Sequence, residues 1–373
     1  MRFKLLLVFL LIGVFSFAQD FYLFVGTYTS GNSKGIYVYH FNSLTGNAEW
    51  VSNTDHADNP CFLTVAPDGK HLYAVNEVNK NGTGLVTAYT FDPINGTLSF
   101  LNQQSSGSQD PCHISITKDG RWLLVANYSG GSLASFPVEP NGAVHSFTQH
   151  IIHEGKSINE QRQEKAHVHS VFFSPDEKFL LTPDLGMDKV NIYRFDPNIN
   201  SPLQNAAQKF ISIAPGSGPR HLEFSPSGKF IYIIEELSGT VSVHSYHNGS
   251  TKFIQRIATH PSDFNGQPGS ADIHISQDGK FLYASNRAKE NNIAIFSIDQ
   301  NKGTLTPIGY EPTKGEGPRN FSIDPSGNFL LVANQITSTV EIFKRDKNSG
   351  LLNHTGKSLS IPNPVCLKFL AKN

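Results

Sequence analysis

One motif, repeated six times at a spacing near 50 residues, limits what this chain can fold into more than any other feature. Each copy sets two short apolar runs on either side of a polar turn. In the fourth copy Leu222 and Phe224 precede Pro226-Ser227-Gly228, and Ile231 and Ile233 follow it. Short alternating runs around such a turn read as a β-hairpin. The turns fall at Asp68, Asp119, Asp176, Ser227, Asp278 and Ser326, spaced by 51, 57, 51, 51 and 48 residues. Two more strand-like runs follow each hairpin, as at 85–91 and 97–101. Four strands in such a period make a propeller blade, and no stretch shows convincing helical periodicity with caps.

Two leftovers complete a seventh blade. Residues 363–370 read as a first strand without a partner, and 21–28, 35–41 and 49–52 as second to fourth strands without a first. Pairing them closes the ring and removes the edges an open array would expose. The expected fold is therefore all-β: a seven-bladed β-propeller, its ring closed by the C-terminal first strand against the N-terminal strands, as one domain over 19–373. Residues 1–18 read separately, with basic Met1-Arg2-Phe3-Lys4, an apolar run over 5–17, and Ala18 before a polar start. That is the layout of a cleaved signal peptide. The run is short for a bilayer span, which takes roughly 20 residues, and no Cys follows it. Export to the periplasm or the medium is expected, with no membrane attachment after cleavage.

Net charge of −1 argues against a nucleic-acid partner, which requires a basic face. Cys61, Cys112 and Cys366 are odd in number and form no CxxC pair, which argues against a disulfide framework or a zinc site. They are expected as small buried apolar side chains.

In a propeller the first strand of each blade lines the central channel and the second runs antiparallel beside it. The residue seven before each turn and those eight and nine after it then reach one mouth. Around the ring this layer holds Cys61 with Asn76 and Glu77; Cys112 with Asn127 and Tyr128; His169 with Asp184; Arg220 with Glu235 and Glu236; Ala271 with Asn286 and Arg287; and Arg319 with Asn334 and Gln335. His113, Ser170, His221, Asp272 and Asn320 are expected one residue deeper, on alternate faces. Two Arg, a His and a carboxylate around a funnel suit a small anionic substrate. Arg presents a planar fork that keeps its charge, His takes a proton near neutrality, and a carboxylate orients either. The same residues could instead be a buried network tying blades together, since fold alone does not set function.

His167 and His169, two apart on a strand, face the same way. They could begin a metal site, but the mouth offers no third His, and neither metal nor cofactor is expected. Glu235 and Glu236 point to opposite faces, so one of them serves the channel. The segment 156–165 is the longest insertion and accounts for the spacing of 57. It is either a loop that brings Arg162 over the mouth or a solvated connection.

Val25-Gly26-Thr27-Tyr28, Arg162-Gln163-Glu164 running into His167-Val168-His169-Ser170, Pro183-Asp184-Leu185-Gly186 with Asp188, Gly218-Pro219-Arg220-His221, Glu235-Glu236-Leu237 and Gly317-Pro318-Arg319 are jointly specific. Together they resemble the seven-bladed propeller lactonases, which include the bacterial propeller-type 6-phosphogluconolactonases and the fungal carboxymuconate cyclases. The resemblance implies a catalytic set of His169, Arg220, Glu236 and Arg287, with His167 less favoured than His169 as the acting histidine. Arg162, His167, Arg319 and Asn334 are expected in substrate binding, and the resemblance implies that no metal is needed. It implies hydrolysis of a sugar lactone, 6-phosphogluconolactone-like, to the aldonic acid. His169 would activate water, one Arg would hold the oxyanion, and another, with Arg162 or Arg319, the phosphate or carboxylate. Glu236 would position an Arg or share the proton. An export signal sits apart from a cytoplasmic sugar phosphate, so an unphosphorylated aldonolactone is a second candidate. The alternative is a non-catalytic exported propeller that binds a carbohydrate, a small anion or a protein partner.

Overall fold

The computed structural model describes residues 20–55 and 57–372, so the export segment expected over 1–18 lies outside the described residues. Among them, 28 strands and no helix form seven four-stranded antiparallel sheets. The seventh blade closes the ring as expected: Pro364–Ala371 pairs with Asp20–Thr27, in register from Phe21 opposite Ala371 to Val25 opposite Leu367. Tyr37–Asn42 and Ala48–Asn53 complete that sheet.

The innermost strands of the first six blades are Pro60–Val65, Pro111–Ile116, Phe172–Phe173, Pro219–Phe224, Ser270–Ile275 and Pro318–Ile323. Five of the seven innermost strands start at a proline preceded by Asn59, Asp110, Gly218, Gly317 or Asn363, each at positive φ between 40° and 73°. Asn, Asp and Gly tolerate that left-handed conformation, and proline is accepted as the first residue of a strand. The carbonyl of each turn residue accepts the backbone N–H of the residue just past the last one that the second strand pairs with the innermost strand: Glu77, Tyr128, Glu236, Gln335 and Tyr28 respectively. A local turn thereby fixes where each side chain at the mouth begins.

The structure corrects the expected alternation inside the channel. The innermost strand of the fourth blade pairs Pro219 with Glu235 and then His221 with Ile234, leaving Arg220 as an extra residue in a β-bulge. Cys61, Cys112, Arg319 and Val365 occupy the same bulge in their blades, and in the fifth blade it falls at Ala271-Asp272. An inserted residue breaks the period of two, so a residue and its successor both turn to the axis. Arg220 Nη1 and His221 Nε2 are accordingly 3.3 Å apart.

Packing occurs mainly between neighbouring blades. Phe230, Tyr232 and Ile234 of the fourth blade interdigitate with Ile273, Leu282 and Phe296 of the fifth, all nearly inaccessible. Each such side chain contributes roughly 1.5–3 kcal/mol on burial. Gly303, in the outer turn of the fifth blade, lets the ring of Phe230 lie where a Cβ would stand 2.4 Å from it. Gly249 under Phe179 and Gly350 under Phe281 repeat the contact.

Candidate active site

Seven residues occupy equivalent places, one past the last residue that each second strand pairs with the innermost segment: Tyr28, Glu77, Tyr128, Leu185, Glu236, Arg287 and Gln335. All but Leu185 line a cavity of about 400 Å³ at one mouth, with His169, Cys112 and Arg319 from the bulge layer below. Over Leu185 the ring is completed by Arg162, from the inserted loop. That loop is pinned by the fully buried Gln163, whose Nε2 donates to the Leu185 carbonyl at 2.8 Å, and by Ser157 Oγ, which donates to Asp188 Oδ2 at 2.6 Å. Asp188 also accepts the backbone N–H groups of Gly216 and Gly218, so the loop and the start of the Arg220 strand share one anchor.

Glu236 is clamped by three guanidiniums. Arg162 Nη2 lies 2.8 Å from its Oε1, and Arg287 Nη2 and Arg220 Nε lie 3.0 and 3.1 Å from its Oε2. Burial pushes this carboxyl up, but Arg287, Arg220 and Arg162 outweigh burial and hold it down at about 2. Burial and the charges of Arg287 and Arg319 lower Arg220 to about 10, so it stays charged at neutral pH.

Arg319 is placed differently. Its guanidinium lies over the Tyr28 ring, 5.5 Å from the centroid, and has no hydrogen bond or ion pair among the described residues. Tyr28 in turn donates to Glu77 Oε2 at 2.6 Å. Four guanidiniums thus face two carboxylates, an excess of positive charge in a site that suits an anion.

Tyr128 separates the two candidate histidines. His167 stacks on it at 4.5 Å between centroids, and His169 meets its edge at 5.4 Å. His167 has both ring nitrogens engaged, with the Tyr128 carbonyl at 3.2 Å and Glu164 Oε1 at 3.1 Å. The His169 imidazole, beyond a 4.0 Å approach of Cys112 Sγ to Nδ1, has no side-chain hydrogen-bond partner among the described residues. Burial, then the charges of Arg220, His221 and Arg319, drive its pKa well below 6.5, so it stands as a neutral base at neutral pH. Its segment is held less by strand pairing than by Asp184, whose Oδ1 accepts the His167 N–H at 2.8 Å while Oδ2 meets His153 Nδ1 at 2.7 Å.

Below this cavity the channel narrows to a throat with room of about 10 Å³, between Arg220, His221, Arg319, Asn320, Phe62 and the bulged cysteines. That holds about one water. A line of polar contacts continues through it, from Arg220 to His221 Nε2 and from His221 Nδ1 to Asp272 Oδ1 at 2.7 Å.

Of the residues expected from sequence, His169, Glu236, Arg287, Arg162 and Arg319 come together around the cavity. Three do not reach it. Arg220 sits beneath the floor, buried, with Nη1 donating to the Ala271 carbonyl. His167 is turned onto Tyr128, and Asn334 is fully buried within its blade, where Nδ2 donates to the Thr313 carbonyl at 2.9 Å. Tyr28, Glu77, Tyr128 and Gln335 line the cavity without having been singled out as site residues. The register had placed the last three at the mouth; Tyr28 holds the same place in the blade split between the termini. The three cysteines are free and buried, as expected.

Comparison with known proteins agrees with this architecture. The family model described as lactonase, 7-bladed β-propeller, matches residues 22–369. A protein of Formosa agariphila named 6-phosphogluconolactonase is 42% identical over 93% of this chain and 99% of its own length. One of the same name from Bacillus subtilis is 35% identical over 93% and 97%. The structure of a periplasmic gluconolactonase from Pseudomonas aeruginosa superposes with a TM-score of 0.90 at 39% identity, covering 95% of this chain and all of that one. Seven blades closed between the termini and a match along nearly the whole ring lead to one conclusion: the chain is an enzyme of the seven-bladed β-propeller lactonase family.

Proposed function

We propose that this enzyme hydrolyses a sugar lactone, 6-phosphogluconolactone or its unphosphorylated counterpart, to the aldonic acid in the arginine-lined mouth. The observation that carries the reading is the pairing, in one cavity, of a neutral His169 with an Arg319 that has no carboxylate hydrogen-bonded to it. His169 takes a proton from water as the water oxygen attacks the lactone carbonyl carbon. Arg319 stabilises the negative oxygen of the tetrahedral intermediate, charge that develops only during reaction. Collapse breaks the bond to the ring oxygen, which recovers the proton from the imidazolium. Glu236, already committed to three arginines, takes no proton and keeps Arg162 and Arg287 aimed at the substrate's phosphate or hydroxyls. Arg220 and Asp184 act as positioning groups, one through Glu236 and the other through the His169 segment.

The leader expected over 1–18 and the periplasmic description of the Pseudomonas aeruginosa neighbour support a periplasmic or secreted enzyme. The test is acid release from gluconolactone and from its 6-phosphate by the mature protein, above the spontaneous rate, with and without chelator. We expect His169→Ala to lose roughly 10²–10⁴-fold in kcat/KM. Equal rates for the wild type and the His169→Ala and Arg319→Ala variants would sink the reading. Comparison of the two substrates decides whether the phosphate is recognised.

A further inference from the structure

Beyond the throat, at the opposite mouth, lies a second cavity of about 380 Å³. It is at the small end of the range for small-molecule sites, roughly 300–1,000 Å³. The innermost strands build it from the residues past each bulge, where alternation resumes. Phe62 and Phe172 form its walls, with the His113 ring between them at centroid distances of 4.2 and 4.7 Å. Two donors there are uncommitted. The Lys368 ammonium lies 4.7 Å over the Phe62 ring and makes no hydrogen bond or ion pair among the described residues. His113 is 3% exposed, and its Nδ1 accepts the Val171 backbone N–H at 3.4 Å. Burial and the neighbouring His221 keep that imidazole neutral, so its remaining proton sits on Nε2, which has no partner among the described residues.

The carboxylate at the floor is not a competing acceptor. Asp272 Oδ1 is taken by His221, and Oδ2 by Asn320 Nδ2 and by His274 Nε2 at 3.1 Å. His274 also lies 3.5 Å from Glu223, and although burial opposes its charge, Asp272 and Glu223 raise it to about 10, so it is an imidazolium at neutral pH. At the rim Glu177 accepts the Lys118 backbone N–H. What remains open is a free cation, a free N–H donor and the partly exposed ring of Phe172, Phe62 being covered by His113 and Lys368.

We propose that this opposite mouth is a second binding site, for a small carboxylate on a flat apolar body, with Lys368 and His113 receiving the carboxylate and Phe172 the body. This ligand chemistry differs from that of a polyhydroxylated lactone, and the site shares no lining residue with the catalytic cavity. The test is titration of the mature protein with benzoate, and with benzamide as its uncharged counterpart, by calorimetry and by chemical shifts. Saturable benzoate binding is expected, about tenfold weaker for benzamide and for Lys368→Met, retained in Lys368→Arg, and unchanged in Arg319→Ala. Three results would each overturn the proposal: no saturable binding, equal binding of benzamide, or a loss in Arg319→Ala rather than in Lys368→Met. The benzamide comparison needs no variant, so the test survives a variant that fails to fold.

Discussion

Glu236 owes its low pKa to company rather than to exposure. Its folded value of about 2 lies below the ordinary 4.5, so the carboxylate adds stability above the ordinary value and loses that contribution as pH falls through the folded one. The contribution is on the order of 3 kcal/mol. Glu236→Gln leaves three guanidiniums without their carboxylate and is expected to destabilise the fold by about 3–5 kcal/mol near neutral pH. Denaturant unfolding of both proteins should show that deficit shrinking as the pH approaches the folded value; a deficit independent of pH contradicts the clamp. His169 is shifted downward as well, its neutral form persisting well below 6.5, so kcat/KM should not begin to fall until the pH is well under that value. The residue types of this site were legible in the sequence, because register alone brought His169, Arg220, Glu236, Arg287 and Arg319 to one mouth. Their division of labour was not. Which arginine is neutralised and which is left open depends on distances of a few ångströms, and these made Arg319 rather than Arg220 the group facing the cavity.

At the level of strands and turns, the hairpins were readable because each turn residue has a local reason to be where it is. The bulges were not, since an extra residue leaves no mark in an apolar pattern read with a strict period of two. That omission set His221, Asp272 and Asn320 on alternate faces, whereas the structure puts them on the channel. His167 was misplaced for a related reason: the third blade's innermost strand is reduced to Phe172–Phe173, so side-chain contacts with Tyr128 and Glu164 orient it instead of the pleat. The outer-turn glycines offer a direct check on blade packing. Gly303→Ala places a Cβ 2.4 Å from the Phe230 ring at a φ of +75°, and should cost about 1–3 kcal/mol in unfolding free energy. An unchanged denaturation midpoint would mean that the contact is easily relieved.

The whole molecule is a ring whose last strand is its first, and that closure was visible in sequence as two incomplete blades at opposite ends of the chain. The channel's interior was less visible, because its width is set by inward side chains contributed by every blade and summed only in three dimensions. The result is a tube with two mouths and a stopper of Arg220, His221, Arg319 and Asn320 between them. A stopper that admits about one water cannot pass a sugar acid. Reactant and product must therefore share a single doorway, with no separate exit downstream. On the reaction proposed above, the acid formed also gains a negative charge while still among the arginines that drew its precursor in. Turnover should accordingly be restrained by accumulated aldonate, competitively and more strongly at low ionic strength, whereas inhibition that leaves the apparent KM untouched would point to another way out.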